Sequence, residues 1–376
     1  MLALQNTSNI SENSIKKRVR SRIKIKIVIV FVLALIATLS DDVRAVPAVD
    51  HNEINGGSSQ LTIVQISDLH IGNGIDDYGS GAGAFGWDDS ILDENGEPAF
   101  EDNTAAAENL RDAVSWINAN SRDIDVVLVT GDITQSGERS EFQMAYHILK
   151  DIEVPWVPLI GNHDIWGYNS TSQADSPVAV VFYMEVFGGH LDELGGQLLN
   201  WDDGTRFDEV YDADSGYSTH FQNYAFDLEG RDGKIYHIIC ADFNSRTHGM
   251  DDPGGVEPWG HTHEFSGGTW PWFTARYGSY DPDGEPRDNV LIFSHHPLTK
   301  DQTKGSFLPG DYQEIASFLN DNGRKYHTGL WGAGHSHRGD WYDVKTLDMT
   351  STICPGEETG AMYEDSGHIR RIDVLG

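Results

Sequence analysis

The chain has 376 residues, 39% of them apolar, and ten tryptophans, so it can bury a core and is not a disordered polymer. It carries 59 acidic against 26 basic residues, a formal net charge of −33. A surface of that sign repels nucleic-acid backbones and anionic membranes, which argues against a polyanion-binding module.

The N-terminus stands apart from this balance. Residues 16–26 are basic ("KKRVRSRIKIK"), residues 27–39 form an apolar run of 13, and small residues follow, spaced for cleavage after Ala45 or Ala48. That is the order of a secretory signal. The run is short of the roughly 20 residues of a membrane span. Residues 1–45 are therefore expected to be a signal peptide and the protein to be secreted or periplasmic, a retained N-terminal membrane anchor being the lesser alternative. No other segment reads as transmembrane. Residues 1–45 carry a net +5, which leaves −38 on the rest.

The first element after the signal is "LTIVQI" (61–66), a β-branched run that reads as a buried strand. A Gly/Asp-rich loop follows. Residues 103–120 read as a helix with Leu110, Ala113, Val114 and Ile117 on one face and Asn103 or Thr104 as its cap. "DVVLVT" (125–130) is a second strand, 138–152 a helix burying Phe142, Ala145, Leu149 and Ile152, and "PWVPLI" (155–160) a third strand. This alternation indicates α/β with parallel pairing. Residues 165–285 are rich in Gly, Asp and aromatics and read as a long loop insertion, interrupted by one strand at 234–243. Regular elements return with strand 289–294, helix 312–319, strand 328–333 and short strands near 341–346, 349–354 and 369–374. One domain, 58–376, is expected. The acidic clusters at 88–102 and 281–288 lack the spacing of a calcium-binding loop and read as solvated loops. Cys240 and Cys354 fit either a disulfide or two buried thiols.

The predicted strands end in residues that bind metals. "LTIVQI" runs into Asp68-Leu69-His70, "DVVLVT" into Gly131-Asp132, "PWVPLI" into Gly161-Asn162-His163-Asp164, "NVLIFS" into His295-His296-Pro297, and "TGLWGA" into Gly334-His335-Ser336-His337. Each alone is weak. Together, from segments far apart in sequence, they would converge on the carboxyl edge of a sheet, where α/β proteins place their sites.

As an ordered set, D-x-H, GD, GNHD, HHP and GHSH, the blocks resemble the calcineurin-like metallophosphoesterases. The resemblance spans residues 68–337. It implies a four-layer α/β/β/α sandwich of two mixed sheets with a dinuclear metal site at the strand ends. It implies Asp68, His70 and His337 on one ion, Asn162, His295 and His335 on the other, and Asp132 between them. The ions would be two divalent or trivalent cations, Fe, Mn, Zn or Co, a choice this donor set does not make. They would supply a bound hydroxide to attack a small-molecule phosphoester. His163 would face the substrate and protonate the leaving oxygen, with Asp164 orienting it; a plain loop cap is the other reading of Asp164. His296 is read as packing.

Two departures narrow the branch. The protein-phosphatase pattern GD-x-x-D-R-G is absent, and Gln135 stands where purple acid phosphatases carry a tyrosine ligand. The stretch from Asp132 to Asn162 is most similar to the cyclic-nucleotide and glycerophosphodiester phosphodiesterases. This implies an exported phosphodiesterase, with a phosphomonoesterase, or a non-catalytic binding protein, as alternatives. Trp166, Tyr168, Trp259, Trp270 and Trp272 are candidates for substrate stacking, though each alone is better read as packing. A second GHxH-like stretch, "WGHTH" with His261 and His263, precedes HHP and lacks a leading strand, so it is assigned to the insertion rather than to the metal centre.

Overall fold

In the computed structural model the chain is described over residues 47–54, 58–73, 105–135, 137–165, 178–211, 218–246, 259–263, 268–280, 289–299, 307–321, 324, 327–347, 351–364 and 367–375. Residues 1–45, the caps Asn103 and Thr104, the two acidic clusters, Trp166 and Tyr168 lie outside these.

The strands are β1 (Ala48–Ile54), β2 (Ser59–Ile66), β3 (Val126–Thr130), β4 (Trp156–Leu159), β5 (Leu199–Asp202), β6 (Val210–Tyr211), β7 (Ser218–Thr219), β8 (Tyr224–Glu229), β9 (Ile235–Ala241), β10 (Val290–Ser294), β11 (Thr328–Ala333), β12 (Trp341–Lys345), β13 (Thr352–Glu358) and β14 (His368–Leu375). The helices are α1 (Ala105–Ala119), α2 (Arg139–Leu149), α3 (Val178–Leu194), α4 (Thr269–Ser279) and α5 (Pro309–Asn320).

Two mixed sheets form. The first has the order β1-β14-β2-β3-β4, the second β12-β13-β11-β10-β9-β8-β5, and β6 and β7 pair separately. β2, β3 and β4 run parallel side by side in one sheet, as do β9, β10 and β11 in the other.

The period of two along the second sheet sorts its side chains into separate cores. Ile238, Cys240, Leu291, Phe293 and Leu330 pack with the first sheet and with α1, α2 and α3. Their neighbours Ile239, Ala241, Val290, Ile292, Trp331 and Ala333 pack with α4 and α5. Both faces of this sheet are therefore buried, one against a sheet and one against helices. The fold is the expected α/β/β/α sandwich.

The helices keep the expected faces. α1 buries Leu110, Ala113, Val114 and Ile117. α2 buries Phe142, Ala145 and Leu149, and at its start Glu141 accepts the amide of Glu138 at 3.1 Å, which closes the first turn.

Residues 165–285 differ from the loop expectation. Their described part holds α3, α4 and five strands, of which β5, β8 and β9 join the second sheet. α3 touches both sheets: the Tyr183 hydroxyl donates to the Pro158 carbonyl of β4 at 2.7 Å and lies 3.3 Å from that of Tyr224 on β8. β1 likewise precedes the expected start at 58 and pairs in parallel with β14. Cys240 and Cys354 are free thiols, buried in different cores. Among the described residues no helix is long and apolar enough to cross a membrane.

Candidate metal centre

Five strands deliver the site, three adjacent parallel strands from one sheet and two from the other. Main-chain bonds continue past the strand ends and hold the loops in step. Asp68 N donates to Gly131 O at 3.0 Å, His70 N to Asp132 O at 2.9 Å, and Gly334 N to His295 O at 3.0 Å. The loops touch where glycine leaves room: a Cβ on Gly161 would run into the Asp132 amide nitrogen, and one on Gly334 into the Ser67 hydroxyl.

Asp68, His70, Asp132, His335 and His337 all have positive φ, between 44° and 80°; among the described residues only Asn200 shares this without being glycine. Each such conformation costs about 1–3 kcal/mol and persists only where its surroundings enforce it. Five at one place, all on metal-type side chains, mark a site at which orientation is held at the expense of backbone comfort.

The side chains converge in two sets. Around one point, His337 Nε2 lies 3.3 Å from Asp68 Oδ1, and His70 Nε2 lies 3.7 Å from Asp132 Oδ2. Around the other, His295 Nε2 is 2.9 Å from Asn162 Oδ1 and 3.2 Å from Asp132 Oδ2, and His335 Nδ1 is 3.0 Å from Asn162 Oδ1 and 3.1 Å from His295 Nε2. Asp132 belongs to both. Ligand atoms about 2.0–2.2 Å from one ion stand roughly 3–3.5 Å apart, so these spacings fit two cations sharing Asp132. Asp68–His70–His337 and Asp132–His295–His335 each qualify as ion-holding groups, as does His70–Asp132–His163.

The charges of these groups are tightly linked. Burial opposes ionisation of Asp132, but His295, His163 and His70 outweigh it and hold its pKa well below the usual carboxylate range. Burial lowers His295 and His337, yet Asp132 lifts the first and Asp68 the second, each to about 9. Burial and neighbouring imidazoles press His70 and His335 down to about 3. The buried Nε2 of His70 has no hydrogen-bond partner among the described residues, an orphan that a cation would satisfy. His295 Nδ1 donates to the Thr130 carbonyl at 2.9 Å, which turns Nε2 toward Asn162 and Asp132, the nitrogen that would take an ion in exchange for its proton.

The calcineurin-like phosphoesterase family model matches residues 61–339. The chain belongs to that family. Comparison with curated proteins gave no match. Solved structures with a similar course include a purple acid phosphatase from yellow lupin (Lupinus luteus) seeds, 13% identical over 85% of this chain and 44% of that one, TM-score 0.41. Another is a Staphylococcus aureus protein assigned as a 5'-nucleotidase, in complex with α-ketoglutarate, 12% identical over 81% of this chain and 49% of that one, TM-score 0.39. The chain spans about half the length of these two proteins.

Around this family site the other named residues take their places. His163 sits beside Asp132, its amide donating to Asp132 Oδ1 at 2.9 Å and its Nε2 4.0 Å from Oδ2. Its Nδ1 donates to the Gln135 carbonyl at 2.7 Å. Among the described residues the Asp164 carboxylate bonds to donors of the neighbouring loops and not to the His163 ring. Its Oδ1 accepts the amide and hydroxyl of Thr134 at 2.8 and 2.7 Å, and its Oδ2 the amides of Ile133 and Gly161 at 3.1 and 2.8 Å. These bonds tie the Asp132 and Asn162 loops together, as a loop cap does. Burial and the charge of Asp132 push the pKa of Asp164 up to about 7, against the pull of those hydrogen bonds.

His296 is fully buried beneath the ligands, 4.6 Å from the His335 ring, and burial holds its pKa well below the histidine range. Trp270 and Trp272 pack on the second core. "WGHTH" is a clasp on α5. Thr262 donates through its amide and hydroxyl to Asp311, His263 Nε2 lies 2.7 Å from Glu314 Oε2, and His261 Nδ1 lies 3.7 Å from Asp311 Oδ2.

Three contributors carried no sequence signal. Glu364 Oε1 and the Tyr363 hydroxyl each lie 3.3 Å from His337 Nδ1, and the Glu358 carboxylate accepts the Ser336 amide at 2.7 Å. All come from strand-end and loop positions beyond the last metal block, where no periodicity or motif points to them.

Proposed function

We propose that the protein is an exported metal-dependent phosphoesterase that hydrolyses phosphodiesters. The observation that carries the catalytic part is the convergence of seven ligand-type side chains from five strand ends on two points that share Asp132. Two cations there would polarise the phosphoryl oxygens and lower the pKa of an attacking water. The chain's own residues do the rest. Asp132 offsets repulsion between the two positive charges. His295 and His337 present one ring nitrogen each because the other is engaged behind, by the Thr130 carbonyl and by Glu364 and Tyr363. The His163 side chain is 19% exposed, against 4% for His70 and 0% for His295, and it is not among the seven ligand-type residues, so its imidazole is open to an incoming substrate. With Nδ1 tied to Gln135, its imidazolium form would hand a proton from Nε2 to the leaving oxygen.

The preference for diesters is supported by the lack of the protein-phosphatase arginine and by the Asp132-to-Asn162 stretch. A hydrolysis panel tests it. Protein loaded with Mn²⁺, Zn²⁺, Fe²⁺ or Co²⁺ should turn over bis(p-nitrophenyl) phosphate faster than p-nitrophenyl phosphate. Faster turnover of the monoester would replace the diesterase reading with the phosphatase one, and full metal content with no turnover of either would favour a binding protein.

A further inference from the structure

We infer that Gln135 is a positioning residue that fixes two histidines of the metal centre through two different atoms. Its side-chain Oε1 lies 3.1 Å from His70 Nδ1, and its main-chain carbonyl lies 2.7 Å from His163 Nδ1. Its own backbone is anchored next to His70: Gln135 N donates to Ile71 O at 2.9 Å, and Ile71 bridges Thr134 in parallel. The residue therefore cannot shift without moving both rings.

The chemistry follows from what each atom can do. A carbonyl and an amide oxygen only accept, so both Nδ1 atoms must carry hydrogen. The His70 proton placed at Nδ1 leaves Nε2 as a lone pair beside Asp132, where it is buried and unpartnered among the described residues. Were Nε2 to carry the hydrogen, His70 would present a donor to a cation and bind none. For His163 the same placement turns Nε2 toward Asp132 and the reacting centre. A partner behind a metal-bound histidine is typically worth 10–100-fold in metal affinity. The division of labour has a consequence. Changing the side chain at 135 removes the support of His70 but leaves the main-chain bond to His163 in place.

This rests on the dinuclear reading above, and the test separates the two. Purified metal-free protein is titrated with Co²⁺, followed by its visible absorption and by calorimetry. The parent should take up two ions. Gln135→Ala should weaken one of them 10–100-fold and leave the other unchanged, and turnover should return at saturating Co²⁺ because His163 is still held. Gln135→Glu, which keeps an acceptor at the same reach, should restore the parental titration. A merely architectural residue would instead lower the melting temperature of the metal-free protein in both variants and move both ions together. Two ions at parental affinity in Gln135→Ala would overturn the inference, as would failure of Gln135→Glu to restore binding. If Gln135→Ala does not fold, Gln135→Asn takes its place with the same expected loss, since it withdraws the acceptor by one methylene. A parent that binds no Co²⁺ would remove the metal centre itself, before Gln135 is in question.

Discussion

Asp164 shows at the scale of one residue how neighbours in sequence differ from partners in space. Its place after His163 suggested support of that ring, yet its carboxylate holds four donors from the Asp132 and Asn162 loops. Asparagine there offers one acceptor oxygen and a donor, so about two of those bonds are lost. Each unsatisfied buried donor costs about 1–3 kcal/mol. Asp164→Asn should therefore lower the stability of the metal-free protein by about 2–6 kcal/mol in denaturant titration, whereas His163→Ala should leave it nearly unchanged. Unchanged stability in Asp164→Asn, with turnover alone reduced, would return Asp164 to the service of His163. The candidate ligands could be named from the sequence because each follows a buried apolar run and carries metal chemistry, and the structure brings their side chains together. Glu358, Tyr363 and Glu364 were not, because acids and aromatics of that kind are common on any surface and only their fold neighbours give them meaning.

Among elements, the one most poorly read in the sequence is α3. Its stretch "VAVVFYMEVFGGHLDEL" is apolar on more than one side and contains a glycine pair, so no single face stands out. The structure gives the reason: Tyr183 alone reaches β4 and β8, and a helix packed on several sides loses the pattern that a half-exposed one keeps. α1 and α2 cover one sheet from outside and kept their stripes. The clasp at 259–263 is the opposite case, a stretch whose histidines promised more than they do. It secures the start of α5 through Asp311 and Glu314, and His263, with its side chain 59% exposed, forms a surface pair worth at most about 1 kcal/mol. The double variant His261→Ala, His263→Ala should bind two Co²⁺ like the parent. Loss of either ion would place the clasp in the metal centre after all.

For the whole molecule, the alternation of strands and helices indicated α/β with parallel pairing and the family resemblance implied the layer order, but neither set the bounds. β1 lay hidden beside the expected cleavage region. Ala48 is its first residue, and the Ala48 amide donates to Gly367 O at 3.0 Å. Cleavage after Ala48 would take away that donor and the end of the strand, whereas cleavage after Ala45 leaves both. If residues 1–45 are a signal peptide, mass spectrometry of the processed protein should accordingly find Val46 as its first residue; an intact N-terminus would favour the membrane anchor. The seven candidate ligands divide between the sheets, four from the ends of β2, β3 and β4 and three from the ends of β10 and β11. The bound ions would thus span the seam of the sandwich, and their affinity becomes a gauge of how closely its halves mate. Because such coupling is reciprocal, whatever loosens the mating surfaces, however far from Asp132, must be felt as weaker grip on the ions. The cations in turn would act as rivets for the two halves.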